Sequence, residues 1–142
     1  MKSDKGVTIA SLTIYVIAML AVVGIIATIT SFFYTNVTNL EDSSANVSEI
    51  TKFNMYFLQE VKNNNNQIIE LKENSITFAT GNVFTFQDNS IYLNNIRICE
   101  NIKNFALSIE EANNKQIINV LITVGENIEY TKTTKYVMAG NM

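Results

Sequence analysis

Val7–Phe33 reads VTIASLTIYVIAMLAVVGIIATITSFF, 27 consecutive residues without a charge. Lys2, Asp4 and Lys5 precede it, and the next charged residue is Glu41. The hydrocarbon core of a bilayer takes about 20 helical residues, so this run is long enough to cross one. Leu12, Ile14, Val16, Ile17, Leu20, Val22, Val23, Ile25, Ile26, Ile29, Phe32 and Phe33 each favour insertion by roughly 0.3–0.6 kcal/mol. Their sum, on the order of 5 kcal/mol, outweighs the smaller cost of the Ser, Thr and Gly positions. Hydrocarbon offers no water to backbone groups, so the segment has to be helical. A transmembrane helix is predicted over 7–34. Lys2 and Lys5 place its N-terminus in the cytoplasm by the positive-inside preference, and the remainder outside the cytoplasm. A cleaved secretory signal has an apolar stretch of only 7–15 residues, which this run exceeds.

The composition removes several function classes. The 142-residue chain has no histidine, so the commonest general base and the commonest metal ligand are both missing. Its single cysteine, Cys99, allows neither an internal disulfide nor a cysteine cluster for a metal. A net charge of -3 gives no broad basic surface, and no direct nucleic-acid partner is expected. Glu41-Asp42 and Glu110-Glu111 are carboxylates adjacent in sequence, which do not converge on one substrate bond and read as solvated surface. Gly81-Asn82 and Gly125-Glu126 read as turns, because no glycine-rich run leads into a helix with Lys-Ser/Thr. Cys99 reads as a small apolar core residue on a strand. No enzyme, cofactor or metal site is expected.

The junction Lys5-Gly6-Val7-Thr8-Ile9 carries a sharper signal. A short charged leader ending in Lys-Gly, followed at once by an apolar helix that begins Val-Thr, resembles the cleavage signal of the type IV pilin-like family. That family includes the pseudopilins of type II secretion and the pilin-like proteins of DNA-uptake competence. The resemblance implies a leader of residues 1–6, removed by prepilin peptidase after Gly6, and N-methylation of the new terminal residue, Val7. The cut falls before the apolar helix, so the anchor is kept. Other pilin-like subunits, the assembly machinery and membrane lipid are the implied partners. One position departs from the family pattern: Ser11 stands where most members carry a glutamate that neutralises a neighbouring subunit's terminal ammonium. Such a pair at 4 Å is worth up to about 4 kcal/mol at an effective dielectric of 20, against roughly 1 kcal/mol for a hydroxyl hydrogen bond. Ser11, and the lack of the proline common in major pilins, suit a minor subunit. Leu12 together with the small residues Ala18, Ala21, Gly24 and Ala27 would form the helix-packing positions, since association of such helices relies on close approach.

Beyond the apolar run the pattern becomes one-sided. Val47, Ile50, Phe53, Phe57 and Val61 recur at spacings of three and four, which predicts an amphipathic helical extension over 35–62. Tyr56 and Leu58 broaden its apolar face, and Ser43 or Ser44 is placed to cap it. Asn63–Asn66 would end it, because asparagine prefers turns to helix interiors. From residue 67 to 142 the period is two. Ile76-Thr77-Phe78, Val83–Phe86, Ile91-Tyr92-Leu93 and Ile96–Cys99 are separated by Gly81-Asn82, Asp88-Asn89 and Asn94-Asn95, an antiparallel meander. Phe105–Ile109 and Ile117–Val124 flank Asn113-Asn114 as a further hairpin. Ile128–Val137 would be a last edge strand, blunted by Lys132 and Lys135. The fold class expected is α+β: a long N-terminal transmembrane helix, then an amphipathic helix packed on a small extracytoplasmic antiparallel sheet, the pilin-like order. The stretch from Gly81 to Phe105 is similar to the C-terminal domain of J-type minor pseudopilins and competence pseudopilins. The function implied is a minor structural subunit of a type IV pilus, type II secretion pseudopilus or competence pseudopilus. The alternative is a signal-anchored binding or adhesion module on the cell surface and outside any filament.

Overall fold

The structure, a computed structural model, describes residues 4–139, with side chains described from residue 8 onward. One helix, α1, runs Asp4–Val61. Eight strands follow: β1 Ile68–Lys72, β2 Ser75–Phe78, β3 Val83–Gln87, β4 Ser90–Leu93, β5 Ile96–Cys99, β6 Ile102–Ala112, β7 Lys115–Val124 and β8 Tyr130–Val137. The chain divides into two compact units, Met1–Leu40 and Glu41–Met142. Among the described residues the first unit is α1 alone. The second is an α+β layer in which Glu41–Val61 packs on antiparallel sheets.

Three hairpins follow directly from asparagine chemistry. The loops Asp88-Asn89, Asn94-Asn95 and Asn113-Asn114 each place two consecutive residues at positive φ, between 48° and 69°. They join Gln87 to Ser90, Leu93 to Ile96 and Ala112 to Lys115 as paired residues. Two positive φ values in a two-residue loop match the right-handed twist of the strands, and Asn and Asp tolerate that region better than other side chains.

The strands form two sheets rather than the single one the sequence predicts. Sheet one has the order β1-β2-β3-β4-β5, and sheet two β6-β7-β8, all neighbours antiparallel. The break lies at Glu100-Asn101, where Asn101 takes φ 58° and turns the chain out of sheet one. Backbone bonds from Ile102 to Asn89 O and from Gly125 to Asn101 O, both 2.9 Å, fix that corner. β1 was not foreseen. β6 and β7 are longer than expected, and β8 begins at Tyr130 instead of Ile128.

The core lies where the end of α1 meets both sheets. Ile50, Phe53, Phe57 and Val61 are buried from the helix, with Ile76, Phe78, Phe84 and Ile91 from sheet one and Phe105, Ile118, Val120 and Tyr136 from sheet two. Phe57 is its hub, with ring centroids 4.9 Å from Phe53, 5.6 Å from Phe78, 5.2 Å from Phe84 and 4.8 Å from Tyr136. Most of these are edge-to-face, the arrangement the aromatic quadrupole favours.

Two expectations for this helix face are corrected. Val47 is 47 % exposed and Tyr56 43 % exposed, so neither belongs to the core. On a 3.6-residue wheel Ile50, Phe53, Phe57 and Val61 subtend a narrow arc, and Val47 and Tyr56 lie on either side of it. No helix starts at Ser43 or Ser44, which sit inside α1. With no proline in the chain and Gly24 the only glycine from Val7 to Lys62, nothing interrupts the backbone ladder there.

Candidate functional site

The largest unexplained surface is the first unit. Met1–Ser3, half of the expected leader, lie outside the described residues, and so do the surroundings of Gly6 and Val7, the expected cleavage and methylation positions. From Thr8 to Leu40 every residue is exposed. Ile17 stands 61 %, Leu20 66 % and Phe32 68 % open. A water-soluble surface rarely carries a contiguous apolar patch beyond a few hundred Å², so this surface requires either lipid or other protein around it. The helix is long and apolar enough to cross a membrane, with a mean hydropathy of 2.6 over its most apolar window.

Six polar side chains within this surface bond back to their own helix. Thr13, Thr28, Thr30, Thr35 and Thr38 each donate their hydroxyl to the carbonyl four residues earlier, at 2.8–3.0 Å. Asn36 Nδ2 does the same to Phe32 O at 2.8 Å. A hydroxyl that back-bonds within its own helix brings no orphan donor into hydrocarbon. Ser11, Leu12, Ala18, Ala21, Gly24 and Ala27 are all exposed on this helix. The last four are spaced by three, so each steps back about 60° around the axis. A Cβ placed on Gly24 would meet nothing within 4 Å. The helix therefore offers shallow positions for close approach.

The second unit holds polar anchors that sequence reasoning missed. Glu60, at the end of α1, is buried, and its carboxylate accepts from Asn66 Nδ2 at 2.7 Å, Thr80 Oγ1 at 2.6 Å and Asn82 Nδ2 at 2.6 Å. Asn94 Nδ2 in turn donates to Asn82 Oδ1 at 2.6 Å, and Asn66 Oδ1 accepts the backbone N–H of Gln67 and Thr80. Glu49 accepts the N–H of Glu100 at 3.0 Å and pairs with Lys52 at 2.5 Å. The hydrogen bond to Glu49 and its charge raise the Lys52 pKa. Asn46 Nδ2 donates to Ile128 O at 2.7 Å. Buried polar groups have to be paired, and these pairs tie the helix to the sheets and loops. The signal was present: Asn46, Glu49, Phe53, Phe57 and Glu60 recur at three and four, so the polar residues share the core face.

Gly125 belongs to the same region. At φ 116° its backbone favours glycine, and a Cβ there would lie 2.0 Å from Ile128 O and 2.6 Å from Asn46 Nδ2.

Little in this unit offers reaction chemistry. Cys99 is 1 % exposed and donates Sγ–H to Glu49 O at 3.3 Å. Burial first, and the Glu49 charge second, push its pKa up to about 12, so the thiolate that would react is suppressed. Tyr136 donates to Asn54 Oδ1, and burial raises its pKa to about 12 as well. Among the described residues no group of three Cys, Asp or Glu side chains could hold a metal ion. Shallow clefts include one of about 120 Å³ beside Asp42, Asn46, Asn101 and Glu126. Another of about 240 Å³ is lined by Thr85, Gln87, Tyr92 and Asn95 on sheet one. Both are smaller than the roughly 300–1,000 Å³ typical of small-molecule sites. Glu110, Glu111 and Glu41 are exposed surface carboxylates.

A scan against protein-family models and searches of curated proteins and of solved structures find no match to this chain.

Proposed function

We propose that this chain is a minor structural subunit of a pilin-like filament: a type IV pilus, a type II secretion pseudopilus or a competence pseudopilus. In this reading prepilin peptidase trims it after Gly6, and Val7 becomes the methylated N-terminus. The observation that carries the proposal is the two-part helix. Thr8–Leu40 presents apolar side chains on every side, and Glu41–Val61 of the same element is bolted to an antiparallel sheet domain. Such a helix can be stored in lipid and then handed to a bundle of like helices, because either surrounding satisfies it equally. The back-bonded threonines favour the exchange, since their hydroxyls do not have to change partner. The sheet unit is then displayed outside the cytoplasm, and its work is packing and display rather than catalysis.

Mass spectrometry of the full chain recovered from membranes tests the processing step. A mature protein beginning with N-methylated Val7 is expected, and Gly6→Ala should leave the leader attached and block assembly. An intact Met1–Gly6 leader on wild-type protein overturns the proposal. Ser11 favours a second reading, a signal-anchored surface binding module, because it lacks the carboxylate most filament subunits use. Under that reading Gly6→Ala changes nothing.

A further inference from the structure

β6 and β8 are the outer strands of sheet two. Among the described residues, the backbone of β6 between residues 103 and 112 bonds only to β7, so its other edge is an open row of N–H and C=O groups. Natural proteins blunt such edges with charge, and β8 follows that rule: Lys132 and Lys135 are exposed, and no carboxylate lies between Tyr130 and Val137. A second copy of β8 would bring like charges together, offset only in part by Glu110, which lies 3.5 Å from Lys135. β1 is only five residues long, and its Glu70 and Lys72 already bridge one another at 2.9 Å.

β6 is built differently. Its six residues Asn104–Ile109 carry no charge, and its charges sit at the ends with opposite signs, Lys103 at one and Glu110-Glu111 at the other. An antiparallel pairing with a second β6, about a two-fold axis normal to the sheet at Leu107, brings Lys103, which sits in the bulge between Ile102 and Asn104, to the level of Glu111. It also sets Asn104 opposite Glu110, Phe105 opposite Ile109 and Ala106 opposite Ser108. That axis keeps the buried faces of both copies on one side, which the alternation of side chains along a strand requires. Glu111 has no ion-pair partner among the described residues. Lys103 is about half-exposed beside Glu129 at 2.7 Å, and its ammonium can serve a second carboxylate.

From this self-complementarity we infer that β6 is a homotypic pairing edge, joining two copies of the chain into one continuous six-stranded sheet centred on Leu107. The contact is a single strand edge, smaller than a standard interface, so it gains from any arrangement that concentrates copies. The inference stands whether or not the chain is trimmed after Gly6.

The experiment uses full-length protein in membranes and reads disulfide-linked dimer on non-reducing gels. Ala106→Cys and Ser108→Cys are at exposed positions, so folding is undisturbed, and buried Cys99 stays a thiol. A mixture of the two variants should cross-link several-fold more than either alone, and more than Thr133→Cys on β8. Adding Lys103→Glu to both copies, or Glu111→Lys to both, should lower linked dimer about fivefold, as like charges replace opposite ones at two places. Combining a Lys103→Glu copy with a Glu111→Lys copy should restore it. Equal cross-linking at Thr133, or no response to charge reversal, overturns the inference and leaves the edge to a different chain.

Discussion

Residues Thr8–Leu40 and Glu41–Val61 belong to one helix, yet their polar groups find partners in opposite ways. In the first stretch each bonded threonine reaches only four residues back, to its own helix. In the second, Asn46 bonds a carbonyl 82 residues away, Glu49 an N–H 51 away and Glu60 an amide 22 away. The apolar groups differ in the same sense: Leu20 and Ile17 are exposed, and Phe53 and Phe57 are fully buried. One stretch is self-sufficient and can change its surroundings. The other is committed to a single tertiary partner. Under the proposed function the first stretch moves from one apolar environment to another and so cannot depend on distant partners, whereas a segment that holds a domain has to.

The largest expected effect tests the apolar side of that contrast. Phe57→Ala removes the ring at the centre of the aromatic cluster and should cost the sheet unit about 3–5 kcal/mol. The chain lacks tryptophan, so the convenient probe is alkylation of buried Cys99 by a thiol reagent as urea is raised. Leu20→Ala, an equal or smaller truncation in the first stretch, should leave that urea midpoint unmoved. A shift with Leu20→Ala would mean that the first stretch supports the sheet unit, and the contrast would fail.

Next comes the carboxylate hub. Glu60→Ala strands donors on Asn66, Thr80 and Asn82 and should cost about 3 kcal/mol in the same assay. Glu60→Gln keeps one accepting oxygen and should cost less. Equal losses would mean that the charge, rather than the hydrogen bonds, is what the site needs.

Alkali should weaken the sheet unit that holds the second stretch. Cys99 is raised from 9.0 to about 12 and Tyr136 from 10.0 to about 12, both chiefly by burial. A folded pKa above the unfolded one means that the unfolded chain loses its proton first as pH rises. Stability is thus intact below pH 9 and declines between 9 and 12, by about 1 kcal/mol at pH 10 from Cys99. Cys99→Ala should lower stability at pH 7 but flatten the fall between pH 9 and 10. Tyrosine fluorescence in urea serves here, because the variant has no thiol. An unchanged slope would show that the thiol is not what burial holds neutral.

Much of this architecture is written locally. The uncharged run from Val7 to Phe33 requires a helix, and the pairs Asp88-Asn89, Asn94-Asn95 and Asn113-Asn114 mark three hairpins by their tolerance of positive φ. What was not legible depends on long-range partners. β1 reads Ile-Ile-Glu-Leu-Lys, which does not alternate, and it becomes a strand because β2 pairs with it across a bulge. The division into two sheets hangs on one residue, Asn101, whose sequence neighbours give no sign that a corner lies there. Glu49 and Glu60 are carboxylates, which by themselves suggest surface; their burial follows only once the donors on Asn66, Thr80, Asn82 and Glu100 are in place. Val47 and Tyr56 show the converse, apolar side chains at plausible spacing that miss the core by their angle.

The smallest expected effect is also the most diagnostic for the first stretch. Thr28 Oγ1 donates to Gly24 O at 2.9 Å, on the face where glycine would let another helix come close. If the hydroxyl serves only its own helix, Thr28→Val exchanges a satisfied polar group for a methyl of the same shape. Membrane retention and the urea midpoint of the sheet unit should then change by less than about 0.5 kcal/mol. Interhelical hydrogen bonds in bilayers are worth about 0.6 kcal/mol on average and up to about 1.7. A drop in assembly of that size, with membrane retention intact, would reveal that Thr28 turns from its own carbonyl to a neighbouring helix. The first stretch would then be less self-sufficient than its isolated geometry implies, and its surface at Gly24 would be a specific contact rather than a general apolar one.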